Sequence, residues 1–354
     1  MPSPLTRRLS TSKGKTVSAR PKVLLDTYTR KIDHIFHWDD YARLEATAEL
    51  VWARDEAAPA EVIEEVREDL FAIITDGWTY GDIERFPNLK AILTSKGQFP
   101  SHSELDYAAC FARGIRVLCC APAYGPIVAE MALGMALCVA RRIAWNDADF
   151  RDGKGHWSHR EFRGEYSILG LQAGLIGFGS LGRGLKPLLE PFGCPIQVYD
   201  PWMTDAYLEA EGVTPVDIDT LLSTSRLIFV LATPSASNRA FLDRERLERI
   251  QPGSAFVLVS RSHMVDFDAL TEFVSEGRFA AGIDVFPEEP VPEDHPIRTA
   301  PNVVLTPHRA GGNTAEYWFI GRMVANDLEA LVQGLPPREL QPVDLAYLAL
   351  KGEP

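Results

Sequence analysis

The sequence has no excess of positive charge, and it has few cysteines. Its 36 Lys and Arg residues are outnumbered by 49 Asp and Glu residues, which gives a formal net charge of -13. Nucleic-acid binding relies on clustered cations that neutralise phosphates, so we expect no nucleic-acid partner. The five cysteines lack the spacing of metal ligands, and the adjacent pair Cys119 and Cys120 is too constrained for an ordinary disulfide. We therefore predict no metal site, and reduced thiols in a cytoplasmic protein.

The sequence also lacks an uninterrupted apolar run long enough to cross a membrane. Its most apolar segment, residues 127–143, contains Glu130 and the pair Arg141 and Arg142, whereas a bilayer requires about 20 apolar residues. We interpret this segment as a buried helix and expect no membrane partner. Residues 1–20 carry basic and hydroxyl side chains without an acid, and we predict a disordered basic tail there.

Two series of short apolar runs alternate with helix-length amphipathic stretches. The first series is VLLD (23–26), AELVW (48–52), AIIT (72–75), AILT (91–94) and IRVL (115–118). The second is AGLIGFG (173–179), PIQVYD (195–200), RLIFVLA (226–232), SAFVLVS (254–260), AAGIDVF (280–286) and NVVLTP (302–307). This alternation predicts βαβ units, and hence an α/β protein with two doubly wound parallel-sheet domains.

A glycine loop opens the second series. GFGSLG places Gly177, Gly179 and Gly182 in the G-x-G-x-x-G spacing, directly after a predicted strand and before a predicted helix. Such a loop lets the helix N-terminus hold a pyrophosphate, so we predict cofactor contacts from these glycines and from the intervening Ser180 and Leu181. Asp200, 18 residues after Gly182, either binds the adenosine ribose hydroxyls or only closes its strand. The first alternative favours NAD as the cofactor. The presence of Arg183, whose charge would suit the 2′-phosphate of NADP, leaves NADP as an alternative.

Three polar side chains follow other strands of the same series. They are Arg261, Glu289 and His308. Taken singly, each has a structural alternative, and His308 by itself is more simply a turn residue. Because ligands bind beyond the carboxyl ends of parallel strands, the three together predict a catalytic site beside a bound nicotinamide.

These motifs resemble those of the D-isomer-specific 2-hydroxyacid dehydrogenases. IVAE (127–130), GFGSLGRG, ATP (232–234), Arg261, GIDVFPEEP (282–290) and TPH (306–308) follow that family's order over about residues 90–340. The resemblance implies NAD-dependent interconversion of a small 2-keto acid and its D-2-hydroxy acid. It also implies that Asp284 lies on the nicotinamide side, and that Thr233 and Ser260 contact the cofactor.

The implied catalytic roles agree with the chemistry of the side chains. Hydride arriving at a keto carbon leaves an oxygen that needs a proton, and imidazolium suits that task near neutral pH. His308 is therefore the predicted general acid and base. Glu289 would favour the charged imidazole, and Arg261 would bind the substrate carboxylate and polarise the ketone.

The resemblance further implies two domains with a cleft between them. We predict a flavodoxin-like substrate domain from residues 21–125 plus 311–354, and a NAD-binding domain from residues 126–310. In the loop at 95–106, the predicted substrate-binding residues are Lys96, Gly97 and Gln98, with His102 nearby; the alternative is an ordinary exposed loop. The apolar helix and the arm at 145–166 suggest a homodimer.

Several departures from the family pattern leave the substrate open. Leu258 and Ser262 stand where the family usually has Asn and Gly, which would also suit an NAD(H)-sensing regulatory protein with little turnover. Asp76 lies where phosphoglycerate-using relatives carry groups for a phosphate, and it would repel one. We therefore favour a substrate of the glyoxylate or hydroxypyruvate type over a phosphoglycerate type, while Arg309 either binds a second anionic group or points to solvent.

Overall fold

The five apolar runs of the first series form a parallel sheet in a computed structural model, which describes residues 20–155, 157, 164–235, 238–312 and 317–343. The strands are β1 (Lys22–Asp26), β2 (Glu49–Trp52), β3 (Leu70–Thr75), β4 (Ala91–Thr94) and β5 (Arg116–Cys119). Their order is β2-β1-β3-β4-β5, which is the flavodoxin order. The flanking helices are α1 (Ile32–Ile35), α2 (Trp38–Thr47), α3 (Ala60–Val66) and α4 (Tyr107–Ala112). The predicted flavodoxin-like sheet is thus confirmed.

A single long helix connects this sheet to the second one. Helix α5 (Ala121–Ala140) contributes Ala123 to the core of the first sheet and Val128 to the core of the second. It begins six residues before the apolar segment that the sequence indicated, and its 20 residues are long and apolar enough to cross a membrane. Half of this apolar stretch is nevertheless buried inside the protein, so α5 serves as a core helix. The predicted domain boundary at residues 125 and 126 falls within it.

The second sheet follows α6 (Ile143–Arg151) and has seven parallel strands among the described residues. They are β6 (Ala173–Ile176), β7 (Ile196–Tyr199), β8 (Thr214–Pro215), β9 (Leu227–Val230), β10 (Ala255–Leu258), β11 (Ala280–Ile283) and β12 (Val303–Leu305). Their order, β8-β7-β6-β9-β10-β11-β12, is that of the dinucleotide-binding fold with one more strand. The helices between them are α7 (Ser180–Leu189), α8 (Asp205–Ala210), α9 (Ile218–Thr224), α10 (Arg244–Glu248) and α11 (Phe267–Ser275). All six predicted strands are present, and β8 is additional.

The last described segment returns to the first sheet. Helix α12 (Tyr317–Val332) packs against α1 and α2, and the two-residue strand β13 (Gln341–Pro342) pairs antiparallel with β5. The sequence did not indicate β13, because two residues that include a proline carry no strand pattern. Of the predicted basic tail, only Arg20 is described, and residues 344–354 of the predicted substrate domain also lie outside the described residues.

Candidate active site

His308 lies in a left-handed turn just after β12. Its φ is +51°, and its backbone N–H donates to the carbonyl oxygen of Asp284 at 2.9 Å. Histidine adopts this backbone region more readily than β-branched residues do. The side chain is 43% exposed, so the turn leaves the imidazole accessible at the carboxyl edge of the sheet.

Glu289 holds one nitrogen of this imidazole. Its Oε2 lies 2.6 Å from His308 Nδ1, and its Oε1 accepts from the backbone N–H of Phe286 at 2.9 Å. Burial acts to raise the pKa of Glu289, but the hydrogen bonds from His308 and Phe286 and the charges of His308 and Arg261 lower that pKa overall. An ionised carboxylate only accepts hydrogen bonds, so Nδ1 carries a proton. Among the described residues, none bonds to Nε2 of His308, which is the nitrogen left for a substrate.

Arg261 follows β10 and lies close to this pair. Its Nη1 donates to the carbonyl oxygen of Ser260 at 2.7 Å, and its charge contributes to the lowered pKa of Glu289. Ser260 is only 5% exposed, yet its hydroxyl has no hydrogen-bond partner in the part of the chain that the structure describes. A buried polar group without a partner costs free energy. This hydroxyl therefore fits the cofactor contact expected of Ser260.

Asp284 is fully buried and supports the histidine turn from below. Its Oδ1 accepts from the hydroxyl of Thr306 and from the backbone N–H of Arg309, and its Oδ2 accepts from the backbone N–H of Ala310. The sequence suggested only that this carboxylate lies on the nicotinamide side. Its observed partners make it a positioning residue for the turn that carries His308. The GIDVF motif in the sequence gave no sign of this role.

The glycine loop leaves room for a phosphate group. A Cβ on Gly177 would lie 2.6 Å from Ala232 Cα, whereas a Cβ on Gly179 would meet nothing within 4 Å. Gly179 occupies the N-cap position of α7 and supplies no side-chain cap, and the first turn of α7 contains no acid. Uncapped amides with open space above them match the chemistry of a pyrophosphate. Ser180 and Leu181, in the same turn, are partly exposed, and Gly182 packs on the carbonyl oxygen of Gly177.

The carboxylate of Asp200 lies at the tip of the neighbouring strand β7. Its Oδ2 accepts from the backbone N–H of Phe178 at 2.8 Å, and its Oδ1 accepts from that of Trp202 at 3.0 Å. Each oxygen retains a lone pair for a ribose hydroxyl. Arg183 is exposed, with Nη1 at 3.3 Å from the carbonyl oxygen of Phe178. Thr233, beyond β9, is also exposed.

The predicted substrate loop follows β4 in the first sheet. The carbonyl oxygens of Lys96 and Gln98 accept from the Thr94 hydroxyl at 3.2 Å each, and Gly97 packs against the ring of Tyr124. No acceptor among the described residues bonds to the backbone N–H groups of Lys96, Gly97 or Gln98. Three such amides in succession suit a carboxylate ligand. His102 instead packs on Tyr107, with their ring centroids 5.1 Å apart.

The structure adds Arg30 and Tyr124 to this edge of the first sheet. Arg30 lies in the loop after β1, and its Nη1 donates to the Tyr124 hydroxyl at 2.8 Å. Asp76, after β3, is 4% exposed and accepts from the Thr29 backbone N–H and from the hydroxyls of Thr29 and Ser95. The sequence places Arg30 shortly after a buried strand, and this position could have identified it as a site residue.

Two of the departures from the family pattern, Leu258 and Ser262, fall on buried positions. Leu258 is fully buried within β10, and Ser262 is 9% exposed in a short helical turn. Arg309 is exposed, and its backbone N–H is held by Asp284.

Comparison with known proteins gives one matching family model. The model described as D-isomer specific 2-hydroxyacid dehydrogenase, NAD binding domain, matches residues 133–310, which include α7, Arg261, Glu289 and His308. A hydroxypyruvate reductase from Thermotoga maritima is 35% identical over 215 residues, which cover 60% of this chain and 68% of that protein.

Two further similarities cover more of the chain. A D-3-phosphoglycerate dehydrogenase from Archaeoglobus fulgidus is 31% identical over 252 residues, or 69% of this chain. That alignment spans only 47% of the relative, about half of its length. The crystal structure of a phosphoglycerate oxidoreductase from Rhizobium etli matches with a TM-score of 0.81 and 34% identity, covering 92% of this chain and 99% of that one.

Proposed function

Because the chain belongs to the D-isomer-specific 2-hydroxyacid dehydrogenase family, we propose that it interconverts a small 2-keto acid and its D-2-hydroxy acid with NAD(H). The observation that carries the proposal is the 2.6 Å contact between His308 Nδ1 and Glu289 Oε2. It leaves Nε2 as the exchanging nitrogen, at the sheet edge that also bears the glycine loop. Bound NADH would supply a hydride to the carbonyl carbon of the substrate.

His308 then moves the proton of the reaction. In the reducing direction, Nε2 donates its proton to the carbonyl oxygen, and the carboxylate of Glu289 favours the charged ring before transfer. In the oxidising direction, Nε2 accepts the proton of the hydroxyl group. The Phe286 amide fixes the second oxygen of Glu289, so the carboxylate stays oriented toward Nδ1.

Arg261 and the substrate loop would hold the 2-keto acid. The guanidinium of Arg261 matches a carboxylate in geometry and charge, and it also polarises the ketone oxygen. The amides of Lys96, Gly97 and Gln98 provide donors from the opposite sheet. Binding between the two groups would orient the carbonyl carbon toward the cofactor.

For the cofactor, we propose NAD rather than NADP. Asp200 can accept from the ribose hydroxyls, and it would repel a 2′-phosphate. Ser260 and Thr233 remain proposed cofactor contacts, and Asp284 remains the proposed nicotinamide-side residue, acting through the histidine turn. Substituting Asp200 with Ser should narrow the preference for NADH over NADPH, as measured by kcat/KM with each cofactor.

The test of the function is a reduction assay with NADH. Glyoxylate, hydroxypyruvate, pyruvate and phosphohydroxypyruvate are mixed with the protein and NADH, and absorbance at the nicotinamide band is followed. We expect consumption of NADH with at least one keto acid, glyoxylate and hydroxypyruvate being the types that the sequence favours. Tight NADH binding without any turnover would instead support an NAD(H)-sensing regulatory protein.

His308→Asn tests the assigned proton carrier. Asparagine tolerates the left-handed backbone of this position, so the turn should persist. We expect kcat to fall by about 10³-fold, within the range found for general acid and base residues, with the Kd for NADH changed less than about threefold. His295→Asn is the matched control, because Asn replaces this helix-capping His as a cap. An equal loss of turnover and NADH affinity in His308→Asn would show that His308 is structural.

We also propose a cytoplasmic homodimer that associates through α6 and the segment after it. Ile143, Phe150 and Trp157 are 54%, 59% and 86% exposed, a set of apolar side chains that a partner copy would cover. Light scattering of wild type and Phe150→Asp tests this: the wild type should have the mass of two chains and the variant that of one.

A further inference from the structure

Arg30 presents a charge that the catalytic steps above do not use. Its Nη1 donates to the Tyr124 hydroxyl at 2.8 Å and to the carbonyl oxygen of Ser95 at 3.3 Å. Its guanidinium carbon lies 4.3 Å from the ring centroid of Tyr317, at the start of α12. Both hydrogen-bond acceptors are neutral, and no carboxylate among the described residues forms an ion pair with Arg30.

The surroundings of Arg30 border the cleft between the two sheets. Tyr124 packs against Gly97 in the predicted substrate loop and against Gly311, three residues after His308. The next residue, Gly125, packs against the backbone of Ser180 in the first turn of α7. The tyrosine that holds Arg30 thus touches both the substrate loop and the histidine segment, and it adjoins the cofactor loop.

The guanidinium retains donors for a ligand. An arginine side chain has five N–H donors, and only Nη1 bonds to described residues. Asp76 makes no direct contact with this guanidinium, since the oxygens of Asp76 accept from Thr29 and Ser95. A partly buried, always charged fork with free donors is the geometry that binds a carboxylate or a phosphate.

We propose that Arg30 binds a second anionic group of the substrate, at the end opposite its 2-keto carboxylate. This inference rests on the proposed function and deepens it, because it selects 2-keto acids that carry two anionic groups. Arg261 and the amides after β4 would bind the 2-keto carboxylate of the substrate. Arg30, held by Tyr124 and stacked on Tyr317, binds the anionic group at the other end of the substrate. Asp76 forms no ion pair with Arg30 among the described residues, because its oxygens accept from Thr29 and Ser95, so it leaves the guanidinium open to a second anionic group.

Matched pairs of substrates test the proposal. Phosphohydroxypyruvate is compared with hydroxypyruvate, and 2-oxoglutarate with 2-oxovalerate, so that each pair differs by one anionic group. We expect at least one dianionic member to exceed its partner in kcat/KM by about tenfold or more, mainly through a lower KM; the pair that responds tells a phosphate from a carboxylate. If the wild type prefers the monoanionic member of both pairs, the proposal is wrong, whatever any variant does.

Arg30→Gln removes the charge and should abolish the preference. A charge-assisted hydrogen-bond pair corresponds to roughly a ten- to hundredfold effect, so kcat/KM for the dianionic substrate should fall by that factor. The value for its monoanionic partner should change less than about threefold, and Arg30→Lys should retain part of the preference. An equal loss for both members of a pair would assign Arg30 a purely structural role and overturn the proposal.

Two further arginines serve as comparisons. Arg54 is exposed and stacks on Trp52 at 4.5 Å in the same domain, so Arg54→Gln removes an equal charge and should leave the preference intact. Arg309 is the rival that the sequence offered for a second anion. Loss of the preference in Arg309→Gln, but not in Arg30→Gln, would overturn the assignment to Arg30.

Binding measurements separate this proposal from the proposed function. If the wild type turns over no keto acid, the proposed function fails, and calorimetric titration of 2-oxoglutarate and 2-oxovalerate in the presence of NADH then decides about Arg30. At least tenfold tighter binding of 2-oxoglutarate, lost in Arg30→Gln, would support the anion site. Equal binding of the two compounds, or no binding of either, would overturn it.

Discussion

Two buried aspartates occupy comparable places in the two sheets, yet their partners differ. Asp76 follows β3 in the first sheet, and Asp284 follows β11 in the second; they are 4% and 0% exposed. Two of the three groups that donate to Asp76 are hydroxyls. Two of the three groups that donate to Asp284 are backbone amides.

The type of donor determines whether an aspartate can exchange its hydrogen-bond partners. A hydroxyl can rotate to donate or accept, whereas a backbone N–H only donates. Two of the three donors to Asp284 therefore cannot become acceptors, and all three donors belong to the segment that presents His308. The edge of the first sheet can exchange hydrogen-bond partners, while the edge of the second sheet holds the imidazole in place.

Within this comparison, the largest expected effect tests whether the exposed carboxylate of Glu289, rather than the buried Asp76 or Asp284, supports proton transfer. Glu289→Gln keeps the size of the side chain but removes the charge beside His308. We expect kcat for reduction to fall by about 10²-fold, with the midpoint of thermal unfolding little changed. A larger loss of kcat in Asp76→Asn than in Glu289→Gln would break the comparison.

The pH profile sharpens this result. The pKa of Glu289 is lowered. Its carboxylate is therefore charged at any pH above the ordinary pKa of a glutamate. Its interaction with His308 is lost only when the pH falls through the lowered pKa of Glu289. The rate of reduction should therefore decline as the pH falls through the lowered pKa of Glu289, where the imidazole of His308 loses its charged partner. In Glu289→Gln this decline on the acid side should be absent, because the amide does not titrate in that range. An unchanged profile of kcat/KM would contradict the role of Glu289.

The second effect compares the buried aspartates directly. In Asp284→Asn, the new NH₂ group must face a backbone N–H in either orientation, and unsatisfied buried donors cost about 1–3 kcal/mol. In Asp76→Asn, the hydroxyl of Ser95 can turn to accept from the new NH₂ group. Urea unfolding should therefore show a larger loss of stability for Asp284→Asn. Equal losses in the two variants would mean that the type of donor does not matter.

The smallest effect concerns the cofactor side of the same edge. A Cβ on Gly179 enters open space, so Gly179→Ala should fold normally and weaken NADH binding by roughly tenfold, about 1.4 kcal/mol. Gly177→Ala is the contrasting variant, because its φ of +97° and its contact with Ala232 both oppose a side chain. Fluorescence titration with NADH and thermal unfolding measure the two effects. Normal NADH affinity in Gly179→Ala would argue against a phosphate site there.

Much of the fold was predictable because apolar runs and helix-length spacers repeat along the chain. All eleven runs became strands, and Gly177, Gly179 and Gly182 lie in a turn between a strand and a helix as their spacing indicated. The start of α5 was not predictable, because APAYGP contains prolines and a glycine that usually interrupt a helix. Strand β13 and the support of the histidine turn by Asp284 were also missed, since both depend on segments distant in the sequence.

By itself, the sequence determined which residue types stand at the strand ends: a glycine loop, an arginine, a glutamate and a histidine, each in a local pattern that fixes strand and turn. Only the tertiary structure decided which of them meet. Sheet pairing brought Glu289 to Nδ1 of His308, and it left Arg30 with neutral partners between Ser95, Tyr124 and Tyr317. Strand and turn patterns depend on neighbours along the chain. The hydrogen-bond partners of a side chain, and whether its charge is paired, depend on which strand ends the sheets place side by side.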